Sequence, residues 1–250
     1  MYIRRYTSIL TLGHWGLEGL SDLPVIIEEK IDGSQFSFGV FDNELLFRSK
    51  SAEIHVGDPG MRMFSQGVEA IQGLAPVLHP GWTYRGEYLQ RPKHNALAYS
   101  RIPKHHVIIF DIDRGECDYL SYSEKANECE RVDLEVVPLL YDGAYPSLGV
   151  IRGLLDASSI LGGQIEGVVL KPAHYDLYGK DHLVVIGKIV NEAFKEVHDT
   201  DWKERNPTRV DIISLLGTKY CTPARWQKGV QHLAEAGILE GSPRYIGPLI

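Results

Sequence analysis

Short strand-like segments separated by turn residues make up most of the first 190 residues of this chain. Residues 35–41 alternate polar and apolar side chains as a half-buried strand does, Asp42 and Asn43 indicate a turn, and residues 45–48 are typical of the returning strand. The same reasoning predicts further strands at 83–89, 107–112, 167–170 and 183–189. The chain is therefore predicted to form a mostly β domain with inserted helices.

Three segments in this region have helical signatures. Residues 61–78 carry apolar side chains at helical spacing and end between two prolines. Ser121 followed three residues later by Glu124 predicts a capping box at the start of a short polar helix. Residues 150–160 predict another helix, which two consecutive glycines would end.

The character of the sequence changes after about residue 197. Residues 199–207 are polar and typical of a linker, and residues 209–216 and 223–236 show helical periodicity. We therefore predict two domains, a large one at 1–198 and a small helical C-terminal one at 199–250.

Composition excludes several classes of protein. The net charge of −7 argues against a general nucleic-acid coat, although it leaves room for a local basic groove. No apolar run approaches the length that spans a bilayer, and no apolar segment follows the N-terminal arginines as in a secretory signal. The three widely spaced cysteines form neither a zinc pattern nor a disulfide framework, which fits a reducing cytoplasm.

Lys30 is the candidate for covalent chemistry. It follows the apolar run Val25-Ile26-Ile27 and precedes Asp32-Gly33, so we expect it at the end of a strand. A lysine of lowered pKa in such a place is a nucleophile able to attack phosphorus and hold a nucleotide. Neighbouring cations (Lys171, Lys188 or a metal ion) would have to lower its pKa from the ordinary value of about 10.4. An exposed turn lysine is the alternative, because Lys-x-Asp-Gly is short enough to occur by chance.

Four further strand segments carry residues of matching chemistry. They contribute Glu87, Phe110, Glu166 with Lys171, and Lys188. Nucleotide transfer depends on positioning and charge neutralisation, so it needs carboxylates for a divalent metal, lysines for phosphates and an aromatic ring for the base. These residue types together therefore favour such a transfer.

A set of short motifs follows in order along the chain, namely Lys30-Ile31-Asp32-Gly33, Ser49-Lys50-Ser51, Arg85-Gly86-Glu87, Phe110-Asp111-Ile112, Glu166-Gly167-Val168-Val169-Leu170-Lys171, Lys188 and Asn191-Glu192-Ala193-Phe194-Lys195-Glu196. This ordered set resembles the covalent nucleotidyltransferases, which are ATP-dependent ligases and capping enzymes, and is most similar to the RNA ligase 2 family. The resemblance implies an α+β fold, namely an ATP-grasp-like nucleotidyltransferase domain of antiparallel sheets with flanking helices, followed by a small helical domain.

The resemblance also implies a role for each motif. Lys30 would attack the α-phosphorus of ATP and become lysyl-AMP, and Glu166 would serve the metal, Mg²⁺ or Mn²⁺. The resemblance further implies that Lys171 and Lys188 act with Lys30 in catalysis. The residues that would contact the nucleotide are Glu29, Lys30, Lys50, Glu87 (at the ribose), Phe110 (stacked on adenine), Lys171 and Lys188 (at the phosphates).

Two positions depart from the family pattern. Lys50 stands where the family usually has an arginine, which keeps the charge but loses the planar bidentate fork, and Arg48 is an alternative for its role. Val190 stands where the family has a second lysine, so one phosphate contact is missing.

Simpler roles compete with several of these assignments. Glu166 could be a surface acid, Glu87 a structural hydrogen-bonding acid and Phe110 a core aromatic residue. The segment Arg91-Pro92-Lys93-His94-Asn95 is either a solvated loop or a contact for a nucleic-acid backbone.

Three functions are compatible with these observations. The first is a cytoplasmic ATP-dependent RNA ligase that joins 5′-phosphate and 3′-hydroxyl ends of nicked or broken RNA, with no membrane and no obligate protein partner. The second is a DNA ligase or a capping guanylyltransferase, although both usually carry an OB-fold after the catalytic domain. The third is a nucleotide- or nucleic-acid-binding module that has lost turnover, for which Val190 is the only indication.

Overall fold

The computed structural model describes residues 2–57 and 59–191, which form two five-stranded sheets and three α-helices. The strands are β1 (Ile9–Thr11), β2 (Pro24–Lys30), β3 (Ser34–Phe41), β4 (Glu44–Ser49), β5 (Thr83–Tyr88), β6 (Val107–Asp113), β7 (Glu135–Val136), β8 (Leu139–Ala144), β9 (Gly167–Pro172) and β10 (Ile186–Val190). The helices are α1 (Ser65–Leu74), α2 (Tyr122–Arg131) and α3 (Leu148–Gly153). The predicted α+β class is therefore confirmed for this part of the chain, and the predicted C-terminal helices lie outside the described residues.

The two sheets draw on different parts of the sequence. The first, called sheet A here, has the order β1-β10-β9-β2-β8, and the second, sheet B, has the order β4-β3-β5-β6-β7. Most pairs are antiparallel as expected, but β1 pairs with β10 and β6 with β7 in parallel. Both parallel pairs involve a short edge strand that joins its sheet through a long connection.

Alternation of side chains along each strand explains how the sheets pack. The outer face of sheet B carries a cluster that includes Phe36, Phe38 and Tyr84 together with residues of α1 and α2. The outer face of sheet A carries Val25, Ile27 and other residues that pack with α3. Two smaller clusters lie between the sheets, and Phe110 borders both of them.

Local sequence signals account for several elements. Asp42 and Asn43 have φ values of 51° and 64°, as the predicted turn between β3 and β4 requires. The capping box is present, because the Ser121 side chain accepts a hydrogen bond from the Glu124 backbone and the Glu124 side chain accepts one from the Ser121 backbone. The helix predicted at 61–78 is confirmed as α1 with a 3₁₀ turn at each end.

The helix predicted at 150–160 is shorter than expected. It begins after the N-cap Ser147, ends as α3 at Gly153, and continues only as a 3₁₀ turn at Leu154–Asp156. Ser158 then forms an extended bridge with Gln164, so a local bridge takes the place of the last predicted helical turn. No helix in the described residues is long and apolar enough to cross a membrane.

Candidate active site

Lys30 lies where the chain passes from one sheet to the other. It is the last residue of β2 in sheet A, and Ser34 begins β3 in sheet B only four positions later. Opposite Lys30 stands Gly167 of β9, and opposite Gly167 stands Val190 of β10. Residues directly opposite each other share a face, so Lys30 and Val190 both point toward sheet B. The Lys30 side chain is 20% exposed and faces the region between the two sheets, which is called the groove here.

Close packing requires a glycine at position 33, where the chain passes between the sheets. A Cβ on Gly33 would lie 2.7 Å from both Glu87 Cγ and the Tyr88 carbonyl oxygen. Gly167 is similarly confined, because a Cβ there would lie 2.2 Å from the Ile189 carbonyl oxygen. The glycines of two motifs therefore let β5 and β10 approach the strands that carry the functional side chains.

Asp32 has a different task, which is to hold the loop that follows β5. Its carboxylate accepts hydrogen bonds from the backbone N–H groups of Ala96 and Leu97, at 2.9 and 2.8 Å. The Asn95 side chain donates to the Gly33 carbonyl at 2.6 Å. The Lys-x-Asp-Gly motif thus fixes the loop beside the candidate nucleophile.

The Lys30 ammonium donates a hydrogen bond to Glu166 Oε2 at 2.7 Å. Burial would lower the pKa of Lys30, but the negative charges of Glu166 and Glu87 outweigh burial and raise it. The expectation that Lys171 and Lys188 lower this pKa was therefore wrong, because the carboxylates around Lys30 outweigh them. Burial also raises the pKa of Glu166, an effect that the Lys30 charge opposes.

Glu87 projects from β5 toward the same point. Burial raises its pKa to about 8, although the Lys30 charge opposes this shift and Glu166 adds to it. At neutral pH the Glu87 side chain is therefore mostly protonated. In that form it can donate a hydrogen bond as well as accept one.

Lys188 of β10 faces the same groove. Partial burial and the positive charge of Lys30 lower the pKa of Lys188, Glu166 opposes this shift, and Lys50 adds to it. Lys50 follows β4 and is exposed. These mutual effects indicate that five residues lie close to one another, namely Lys30, Lys50, Glu87, Glu166 and Lys188.

Phe110 lies deeper in the groove. Its half-buried ring has its centroid 5.2 Å from that of Tyr6, and the Lys171 ammonium is 5.9 Å from the ring centroid. The ring packs on both clusters between the sheets and is only partly buried.

Lys171 and Glu29 lie away from this group. Lys171 is 1% exposed and donates to Glu28 Oε2 at 2.6 Å, Asp111 Oδ1 at 2.8 Å and the Phe110 carbonyl at 2.8 Å. Glu29 is buried and points to the other face of sheet A, where it accepts a hydrogen bond from the Ile160 backbone N–H at 3.1 Å. Neither contact is with the five residues around Lys30.

Lys171 belongs to a buried charge network, which sequence reasoning missed. Lys125 of α2 is fully buried and donates to Glu28 Oε1 at 2.5 Å and to the Phe110 carbonyl at 2.6 Å. Two lysines and two carboxylates thus balance, and Tyr6 and Tyr175 both donate to Asp111. The sequence did contain a signal for Glu28, because it precedes Lys30 by two positions and therefore lies on the same face of the strand. A polar helix gives no comparable indication that one of its lysines is buried.

A divalent cation at this site would find few ligands among the described residues. Among the described residues no group of three or more His, Cys, Asp or Glu side chains is placed to hold a metal ion. Glu166 is a nearly buried carboxylate at the edge of the groove, and Mg²⁺ is commonly bound by one or two carboxylates together with substrate phosphates and water. The donor set therefore fits a cation held jointly with a phosphate ligand.

Comparison with solved structures identifies similar folds. A variant of the Naegleria gruberi RNA ligase solved with ATP and manganese matches with a TM-score of 0.60 and 16% identity, over 78% of this chain and 58% of that one. The same ligase with PPi gives 0.59 and 16% over 79% and 58%, and a variant with AMP and manganese gives 0.56 and 17% over 78% and 58%. This chain thus spans less than two thirds of the ligases that it matches, and at such identity the likeness concerns the fold.

Comparison at the level of sequence leads to a family. A search of the curated proteins gave no match. The RNA ligase family matches residues 23–190, which is more than half of the chain and includes Lys30, Glu87, Glu166 and Lys188. The chain belongs to the RNA ligase family.

Proposed function

We propose that this chain is an ATP-dependent RNA ligase that joins 5′-phosphate and 3′-hydroxyl ends through a lysyl-AMP intermediate on Lys30. The observation that carries the proposal is the position of the Lys30 amine, which is held by Glu166 at the edge of a groove that also contains Lys188, Lys50 and Glu87. Family membership and the fold of ligases solved with ATP or AMP support the choice of nucleotide.

ATP would lie along the groove between the sheets. Its phosphates would contact Lys188 and Lys50, and the protonated Glu87 side chain would donate a hydrogen bond to a ribose hydroxyl. Adenine would stack on the exposed part of Phe110. Lys171 would then act through Phe110, whose carbonyl it holds, rather than through a phosphate.

In the first step Lys30 Nζ attacks the α-phosphorus. Its ammonium, which donates a hydrogen bond to Glu166, must first lose a proton to water. A divalent cation held by Glu166 and the phosphates would neutralise phosphate oxygens, and its charge would favour the neutral form of the nearby amine. A P–N bond then forms, the bond to the β-phosphate oxygen breaks, and pyrophosphate leaves.

The next two steps transfer AMP and seal the strand. An oxygen of the RNA 5′-phosphate attacks the phosphorus of lysyl-AMP, the P–N bond breaks, and Lys30 regains its proton. The 3′-hydroxyl then attacks the 5′-phosphorus, a phosphodiester forms, and AMP leaves with the electron pair of the broken anhydride bond.

Covalent labelling tests the proposal. The protein is incubated with α-labelled ATP or GTP and a divalent cation and then separated on a denaturing gel, with Lys30→Ala beside Lys180→Ala, which removes an exposed lysine elsewhere. We expect label from ATP in the wild type and in Lys180→Ala and none in Lys30→Ala. Label from GTP alone would favour a capping enzyme, and no label from either nucleotide would favour a binding module. Sealing of nicked duplexes with RNA or DNA at the 3′-hydroxyl side then separates RNA from DNA ligases.

A further inference from the structure

The chain between the two acids Glu87 and Asp111 is basic in an otherwise acidic protein. Residues 88–110 contain no Asp or Glu, whereas the net charge of the whole chain is −7. The positively charged residues of this segment are Arg91, Lys93, Arg101 and Lys104, and it also contains three histidines.

Two of these four cations are already paired. Arg101 donates to both Glu135 oxygens at 2.8 and 2.7 Å, and Lys104 pairs with Asp133. Their charges are neutralised locally within the protein.

Arg91 and Lys93 differ from this pair. Both side chains are exposed, and neither makes an ion pair with another residue in the part of the chain that the structure describes. The Arg91 Nε–H donates to the Lys93 carbonyl at 3.0 Å, which holds the two residues in one short turn.

This turn is built onto the nucleophile segment. Asp32, two residues after Lys30, accepts the backbone N–H groups of Ala96 and Leu97, and Asn95 donates to Gly33. The ring of His94 lies 3.0 Å from Ser34 Oγ and accepts a hydrogen bond from the Gln90 backbone at its other nitrogen, at 3.1 Å. The two cations are therefore carried on a loop of fixed position beside Lys30.

We infer that Arg91 and Lys93 bind backbone phosphates of the RNA strand whose 5′-phosphate receives AMP from Lys30. The choice of RNA rests on the proposed function, whereas the presence of a phosphate-binding loop rests on the geometry alone. The phosphates of ATP are the other source of the same chemistry. RNA is favoured because Lys30 and Lys188 already share one face of sheet A, with Lys50 near enough to lower the pKa of Lys188, whereas Arg91 and Lys93 are exposed on a separate loop.

The test compares two double variants with the same loss of charge. Arg91→Gln/Lys93→Gln removes the loop cations, and Arg62→Gln/Arg152→Gln removes two exposed arginines from helices that pack on the outer faces of the sheets. Binding of a nicked RNA duplex with a 5′-phosphate is measured by fluorescence anisotropy at several salt concentrations. We expect the loop variant to bind about tenfold more weakly and its salt slope to fall by roughly 2, since each lost phosphate contact removes about one released counterion.

Self-adenylylation separates the possible outcomes. We expect both double variants to form lysyl-AMP at the wild-type ATP concentration dependence, which also confirms that they fold. A raised KM for ATP in the loop variant, with unchanged RNA binding, would assign the loop to ATP and overturn the inference. Equal weakening of RNA binding in both double variants would also overturn it. A wild type that binds RNA through the loop but forms no lysyl-AMP would refute the proposed function and leave the phosphate-binding loop standing.

Discussion

Replacing Lys125 by methionine tests the buried charge network that joins the two sheets. Lys125 and Lys171 face Glu28 and Asp111, so the substitution leaves two carboxylates with a single cation. The Lys125 ammonium is 2.5 Å from Glu28 and 3.9 Å from Asp111, which at an effective dielectric constant of 20 corresponds to attractions of about 7 and 4 kcal/mol.

These attractions are largely offset within the protein. Burial lowers the pKa of Lys125, the attraction of Glu28 opposes this shift, and repulsion from Lys171 adds to it. The measurable loss is therefore that of an unpaired buried charge, and we expect the free energy of unfolding to fall by about 3–5 kcal/mol. For a chain of this length the midpoint of thermal unfolding should fall by about 6–20 °C.

A second variant isolates the charge effect. Lys125→Met/Glu28→Gln restores the balance by leaving Lys171 with Asp111, so we expect it to be more stable than Lys125→Met alone. Unfolding is followed by circular dichroism with temperature and with urea on the full chain. A loss below about 1 kcal/mol for Lys125→Met, or a double variant as unstable as the sum of the two single ones, would refute the reasoning.

Three further predictions concern the groove. In Glu166→Gln the pKa of Lys30 should fall, because the carboxylate that most stabilises its ammonium is gone. Lys30 should therefore react with an amine-directed reagent at lower pH than in the wild type, which mass spectrometry of its peptide measures. An unchanged pH profile of labelling would contradict this. Glu87 has a folded pKa of about 8 against an ordinary 4.5, so between these values the unfolded chain binds fewer protons and wild-type stability falls as the pH rises. Between pH 5 and pH 9 the free energy of unfolding of the wild type should fall by about 3–5 kcal/mol more than that of Glu87→Gln. A difference between their urea midpoints that is the same at both pH values would exclude this. Val190→Lys places an ammonium on the face of Lys30 and should lower the KM for ATP about tenfold, with Val190→Met as the control that should leave it unchanged.

Local patterns were sufficient to predict much of the fold. The hairpin of β3 and β4 and the start of α2 depend on turn and capping chemistry that lies within a few residues, and both were predicted correctly. The length of α3 was not predicted correctly, since the chain is extended at Ser158, where it forms a bridge with Gln164. Parallel pairing of β1 with β10 joins segments too distant for any periodicity to indicate.

The candidate site was likewise predicted only in part. Lys30, Glu87, Glu166 and Lys188 stand on strand motifs that a single sequence displays, and the structure brings them together. The ion pair of Lys125 with Glu28 spans 97 positions, so no local pattern could predict it. The sign of the Lys30 shift depends on which charges lie nearest in space, and the order of motifs along the chain does not contain that information.

The division of strands between the sheets also sets an order for the synthesis of this protein. Sheet B uses only β3 to β7, which lie between residues 34 and 136, so its pairing is available while the rest of the chain is still being made. Sheet A needs β9 and β10 next to β1 and β2, and pairings of such high sequence separation form slowly. Lys30 therefore emerges early but acquires Glu166 and Lys188 last. A chain interrupted before residue 166 would carry the nucleophile and the loop held by Asp32, yet it would have no means of holding the amine for attack.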